Sequence, residues 1–194
     1  MIPSQDDMYR ALEARHGAQR QARFAAGRVA VCGLGGLGSQ IALSLARAGV
    51  GFLHLIDFDQ VELSNLNRQQ YTISQLGQWK TEALRDTLAT VAPYCHVRID
   101  TIRVTDAHIP ALFQEDHILC EAFDRPEDKA MLTAAVLKRC PWLVLIAASG
   151  MAGLASANQI HTRRVSRRFY LCGDETSDLS DGLGLVGPRA MVCA

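Results

Sequence analysis

The chain of 194 residues contains no C-x-x-C pair, although it has six cysteines, at positions 32, 95, 120, 140, 172 and 193. Paired thiols at that spacing frame a structural zinc knuckle, so no structural zinc is expected. Single cysteines in apolar segments fit buried thiols instead. Net charge is also missing. Twenty Lys and Arg offset twenty Asp and Glu, so no global field draws the chain to nucleic acid or to an anionic membrane. No stretch reaches the roughly 18 apolar residues of a membrane span, and residues 1–23 are charged, with no hydrophobic signal core. A cytoplasmic protein with neither a membrane nor a nucleic-acid partner is expected. The one cluster of like charge, Arg163, Arg164, Arg167 and Arg168, reads as a solvated strand or turn.

What is present fits one globular domain: 48% hydrophobic and 21% charged residues are ordinary values for a soluble fold. Residues 6–24 carry apolar positions at helical spacing, which predicts a lead-in helix within an N-terminal segment 1–27. From residue 28 to 194 a single domain is expected. RVAVC (28–32) reads as a strand running into glycines, residues 39–48 as a helix stopped by Gly49, and FLHLI (52–56) as a second strand. A helix over 80–91 closed by Pro93, a strand over 97–102, a helix over 107–113 and a strand over 118–121 follow. A helix over 127–139, with Pro126 in its first turn, precedes an apolar strand over 142–147. The alternation predicts an α/β, Rossmann-like, doubly wound and mostly parallel sheet. Residues 155–162 and 169–171 read as a C-terminal antiparallel extension, 173–187 as a loop and 188–194 as the start of a helix.

Gly33, Gly35 and Gly38, with Gly36 between them, form G-x-G-x-x-G directly after a strand and before a helix. Glycines there let the backbone turn sharply and approach a phosphate, while the helix N-terminus offers unpaired N–H groups. Asp57, 19 residues beyond Gly38 at the end of the second strand, stands where a carboxylate meets ribose hydroxyls. A dinucleotide fold needs no more acid than that. Asp59, Asn65, Arg68 and Lys80 supply the extra donors and cations that a triphosphate asks for. Asp124, just past the strand over 118–121, faces the ligand crevice and is the candidate Mg²⁺ ligand. Glu121 falls inside that strand, where an ion pair is expected.

Together the runs GLGGLGS, IDFDQVELSNLNRQQY, GQWKTEAL, EAFDRPEDKAML and AASGMAG resemble the ThiF/MoeB/ubiquitin-activating-enzyme superfamily, closest to its compact ThiF branch. The resemblance covers almost everything from Arg28 onward. It implies an adenylyltransferase that uses ATP and Mg²⁺ to activate the C-terminal glycine carboxylate of a ThiS-like, ubiquitin-fold sulfur carrier in thiamine biosynthesis, releasing pyrophosphate. It places Asp57 on the ribose, Asn65, Arg68 and Lys80 on the phosphates, Asp59 near the reacting phosphate and Asp124 on Mg²⁺. Arg68, Lys80 and Asp124 are thus the catalytic candidates. No general base is required, because a carboxylate is already ionised at neutral pH. The family resemblance further implies a homodimer, with Arg10 or Arg15 as candidates for reaching across to a partner's site. The chain departs from the pattern in its crossover region, 173–187, where Ser180 stands at the place of a cysteine and Cys172 lies just outside. Adenylation of another carboxylate (peptide or tRNA-borne), an NAD-binding oxidoreductase and a non-catalytic scaffold are the alternative readings.

Overall fold

The computed structural model describes residues 2–151, 153–177 and 187–194. Five parallel strands, β1 (Arg28–Cys32), β2 (Phe52–Ile56), β3 (His96–Asp100), β4 (Ile118–Glu121) and β5 (Val144–Ala148), build the sheet as the alternation predicts. Two more strands, β6 (His161–Ser166) and β7 (Phe169–Gly173), complete the order β3-β2-β1-β4-β5-β7-β6. The order reverses at β1, which pairs with β2 on one side and β4 on the other. Crevices at such reversals, beyond the carboxyl ends of the strands, are where open α/β sheets bind ligands.

Alternating residues of β1 serve opposite faces of the sheet. Val29 and Val31 pack with Leu53 and Leu55 against α3 (Gly38–Arg47) and α4 (Lys80–Val91), through Ala42, Ala46, Leu84 and Leu88. Ala30 and Cys32 join Leu119, Leu145 and Phe113 against α5 (Pro126–Arg139), through Leu132, Ala135 and Val136. Burial on both faces explains why these strands read as continuous apolar runs.

Three expectations about the elements need correction. The lead-in is two helices, α1 (Gln5–His16) and α2 (Ala18–Ala25), because Gly17 adopts φ +88°, outside any helix. The helix expected over 107–113 is two separate 3₁₀ turns, Asp106–His108 and Ala111–Phe113. Pro110 stands between them, where a helix would need its N–H. Residues 155–160 are not strand: Ser156 caps a 3₁₀ turn, Ala157–Gln159, through the Asn158 N–H. The expected C-terminal antiparallel extension is present as the β6–β7 pair, and it joins the main sheet because β7 runs parallel to β5. The last helix, α6 (Gly187–Cys193), follows the expected place. Ser180 and the rest of 178–186 lie outside the described residues.

Arg10 and Arg15 sit on α1. That helix packs through Leu12 near Gly49, and Tyr94 donates to the Pro3 carbonyl oxygen, 2.7 Å. Both contacts lie at the amino ends of the strands, away from the crevice. No described helix is long and apolar enough to cross a membrane.

Candidate active site

The carboxyl ends of β1, β2, β4 and β5 surround a cavity of about 510 Å³. Gly33, Gly35, Gly36, Asp57, Asp59, Arg68, Lys80 and Asp124 all line it, so most of the residues singled out from the sequence converge there.

The glycines divide into two kinds. Gly33 has φ +86°, and a Cβ on it would stand 2.7 Å from the Ala122 carbonyl oxygen. On Gly38 a Cβ would stand 1.8 Å from the Gly33 carbonyl oxygen. These two make the turn sterically possible. Around Gly35 the nearest atom is Gln69 Nε2 at 3.8 Å, and Gly36 faces the Arg68 side chain at 3.2 Å. Their lack of a side chain leaves backbone open to the cavity. The first turn of α3 begins here with no side-chain cap; the Gly35 carbonyl oxygen takes the Ser39 N–H at 3.1 Å, and the positive end of the helix dipole lies at the cavity, where it favours an anion.

Asp57 is 7% exposed and binds the turn directly. Its Oδ2 accepts the Leu34 N–H at 2.6 Å and its Oδ1 the Asp59 N–H at 2.8 Å. Burial raises its pKa, opposed by Lys80 and by these two N–H groups. Each oxygen keeps lone-pair capacity for a further donor from the cavity. Lys80, the first residue of α4, is buried and pairs with half-exposed Asp59, Nζ to Oδ2 2.8 Å.

The loop carrying Arg68 is stitched to the glycine turn. Ser39 Oγ donates to the Gly35 carbonyl oxygen (2.7 Å) and accepts the Gln70 N–H (3.1 Å), and the Tyr71 hydroxyl donates to the Leu34 carbonyl oxygen (2.8 Å). Asn65 does not reach the cavity wall. Its Oδ1 accepts the Glu62 N–H at 3.0 Å, and its carbonyl oxygen accepts the N–H groups of Arg68 and Gln69. It shapes the loop that presents Arg68 and Gln69, because a buried amide is satisfied first by its nearest backbone. Gln69 itself lines the cavity at 6% exposure, and its Oε1 has no partner among the described residues. Sequence reasoning passed over Gln69, Ser39 and Tyr71. The adjacency of Gln69 to Arg68 was the available signal for the first; nothing local marked the other two.

Asp124 is exposed on the rim, one residue before Arg125 and Pro126 lead into α5. The end of β4 beneath it is pinned by the expected ion pair. Lys129 Nζ lies 3.0 Å from Glu121 Oε1 and donates to the Phe123 carbonyl oxygen at 2.8 Å. Burial raises the Glu121 pKa, with Lys129 acting in the other direction. Arg103 stands over the Phe58 ring, 5.6 Å to its centroid, and both line the cavity beyond Asp57. Cys172 is buried, with the Thr162 hydroxyl 3.2 Å from its Sγ. The arginine-rich hairpin is largely engaged: Arg163 binds Glu175, and Arg168 donates to the carbonyl oxygens of Leu137, Cys140 and Leu143.

Known proteins resemble this chain in sequence and in fold. The chain is 33% identical over 129 residues to the probable adenylyltransferase/sulfurtransferase MoeZ of Mycobacterium tuberculosis, covering 66% of this chain and 33% of that one. It is 38% identical over 127 residues to the molybdopterin-synthase adenylyltransferase of Escherichia coli, covering 65% and 51% respectively. It thus spans a third to about half the length of these relatives. The crystal structure of E. coli tRNA N6-threonylcarbamoyladenosine dehydratase, TcdA, in complex with ATP superposes with a TM-score of 0.85 at 20% identity. That likeness, which is one of fold, covers 100% of this chain and 91% of the other. The ThiF family model matches residues 9–177, and the chain belongs to the ThiF family.

Proposed function

We propose that this chain is an ATP-dependent adenylyltransferase. It binds ATP in the cavity at the carboxyl ends of the strands and transfers the adenylyl group to the C-terminal glycine carboxylate of a ThiS-like, ubiquitin-fold sulfur carrier, with release of pyrophosphate. The observation that carries the reading is the convergence of the glycine turn, Asp57, Arg68, Lys80 and Asp124 on one cavity. Family membership and the adenylyltransferase names of its relatives support it. Residues 28–194 then form the adenylation domain, and 1–27 its helical lead-in.

Each group has work suited to its chemistry. The turn at Gly35 and Gly36 and the start of α3 receive phosphate oxygens. Asp57 accepts from the ribose, and unpartnered Gln69 Oε1 offers a further acceptor. A carboxylate attacking an α-phosphate brings two anions together, so catalysis is chiefly alignment and charge neutralisation. Arg68 and Lys80 oppose the charge on the departing pyrophosphate. Asp124, a hard oxygen donor on the cavity rim, would hold Mg²⁺ together with phosphate oxygens and water. Mg²⁺, when bound, supplies further neutralisation of the phosphates.

The test is ATP–pyrophosphate exchange by the full chain with Mg²⁺ and a purified carrier ending in Gly-Gly. Carrier-dependent exchange is expected, lost in Asp124→Ala. No exchange with ThiS-like carriers, but exchange with molybdopterin-type carriers, would keep adenylation and reject the thiamine assignment. Binding of NADH without ATP would reject adenylation itself.

A further inference from the structure

Three stretches far apart in sequence meet at one buried ion pair behind the cavity wall. Arg189, in α6, is 1% exposed, and its Nη2 donates to the Gly150 carbonyl oxygen at 2.9 Å and to the Asp174 carboxylate. Asp174 accepts the N–H groups of Thr176 (2.9 Å) and Ser177 (2.8 Å) and the Ser177 hydroxyl (2.5 Å). Desolvation pushes the Asp174 carboxyl up, but these donors and Arg189 hold it well below the usual carboxylate range. Gly150, Thr176, Ser177 and Ala190, the neighbour of Arg189, all line the cavity.

Two glycines permit the crossing. Gly150 has φ +73°, and a Cβ on it would lie 2.0 Å from Asp174 Oδ1. On Gly173 a Cβ would lie 1.5 Å from the Ser149 carbonyl oxygen. Ser149 is held on both sides, its N–H on the Cys172 carbonyl oxygen and its own carbonyl oxygen accepting the Glu175 N–H.

A buried pair of this kind is a poor way to gain stability, because desolvating two ions costs about as much as their attraction returns. Nε and Nη1 of Arg189 have no acceptor among the described residues, which adds to that cost. What the pair does provide is a fixed relation between the end of β5, the exit of β7 and α6. These elements lie away from the nucleotide half of the cavity: β7 is four strand positions from β2, about 19 Å at the usual interstrand spacing. Asp57 and Lys80 belong to the β2 side, and Asp124 ends β4 between the two halves.

We propose that the Arg189–Asp174 pair is the positioning element for the acyl-substrate half of the cavity. It fixes the wall made by Gly150, Thr176 and Ser177 along which the segment bearing the reacting carboxylate lies, and it takes no part in holding the nucleotide. This rests on the adenylation reading above.

The experiment uses the full chain with Arg189→Met and Arg189→Lys. ATP affinity is measured by calorimetry with Mg²⁺, and KM for ATP and for a Gly-Gly carrier by pyrophosphate exchange. Hydrogen–deuterium exchange follows the wall and the glycine turn. For Arg189→Met we expect unchanged ATP affinity, a carrier KM raised about tenfold or more, and faster amide exchange at Thr176 and Ser177 but not at residues 33–39. Arg189→Lys, which keeps the charge, should recover part of the carrier KM and can be read even if the Met variant does not fold. A parallel loss of ATP affinity, or unchanged amide exchange at Thr176 and Ser177, overturns the positioning role. Wild-type protein inactive with every carrier overturns the adenylation reading instead, while the amide exchange still reads the wall.

Discussion

Lys80 Nζ lies 2.8 Å from Asp59 Oδ2, joining a lysine with only 7% of its side chain exposed to an aspartate with 51%. The cation is buried within the cavity wall and its counter-charge is open to solvent. Under the proposed function, an arriving triphosphate would share the ammonium group without first moving it. Lys80→Ala should lower the exchange rate by about 10²-fold or more, the scale seen when one preorganised charge is removed from developing anionic charge. Asp59→Ala should also fold, because Asp59 is wet, yet it leaves Lys80 less firmly aimed. Steady-state exchange at saturating carrier checks both. Equal activity of Lys80→Ala and wild type would remove Lys80 from the chemistry.

The glycine turn offers a sharper test of structure against function. Gly38→Ala puts a methyl group 1.8 Å from a backbone carbonyl oxygen that has nowhere to go. It should cost at least about 3 kcal/mol in unfolding free energy, the range of severe backbone clashes. Gly35→Ala meets nothing nearer than 3.8 Å and should unfold within about 1 kcal/mol of wild type. If the turn holds phosphate, the same methyl group must nevertheless weaken ATP binding. Denaturant melts paired with ATP calorimetry separate the two effects. A Gly35→Ala protein with full ATP affinity would argue that no ligand approaches that backbone.

Much of this was legible in the chain because the signals are local. RVAVC running into Gly33 and FLHLI running into Asp57 mark two strand ends with a turn that only glycine permits, and the parallel order follows from the alternating helices. Asp124 could be placed because it directly follows an apolar run. The misreadings arose where local pattern and chain geometry disagree. Apolar spacing over 107–113 outweighed Pro110, and spacing over 6–24 hid the break at Gly17. Asn65 stands off the cavity lining, its Oδ1 on the Glu62 N–H and its Nδ2 3.4 Å from Ser64 Oγ, a placement set by the fold of its loop. Contacts such as Tyr71 to Leu34 and Arg189 to Asp174 join residues 37 and 15 positions apart. No periodicity encodes them; they exist only once the sheet has formed.

Asp57 predicts a particular pH dependence. Burial, partly offset by Lys80 and two N–H groups, raises its folded pKa above the ordinary 3.8. A carboxyl with a raised folded value favours the folded state when protonated. Its stabilising contribution is complete below the unfolded value and is lost as pH rises through the folded one. Glu121 is shifted in the same direction, so wild type alone would mix the two. The stability of wild type relative to Asp57→Asn should fall as pH rises from about 4 and level off above the raised value. Urea unfolding of both proteins between about pH 4 and pH 7 measures it. A difference that grows with pH would mean that the N–H groups and Lys80 outweigh burial.

His54 provides the last prediction, because its partners lie outside the cavity. The ring is fully buried in β2, with Asp116 Oδ2 2.9 Å from Nδ1 and Asp100 Oδ2 2.7 Å from Nε2. Asp116 is 2% exposed, and its Oδ1 has no partner among the described residues. His54→Leu would leave that carboxylate buried with neither oxygen paired to a side chain, which should cost about 3–5 kcal/mol. For a chain of this length that corresponds to a fall in Tm on the order of 10 °C. Replacing Asp116 by Leu as well should recover part of the loss, because an apolar pair no longer strands a charge. Neither residue lines the cavity, so the folded variants should bind ATP as wild type does. Thermal melts of the single and double variants decide the matter. A double variant no more stable than His54→Leu would show that the ring's packing in the sheet, and not its carboxylate partners, accounts for the loss.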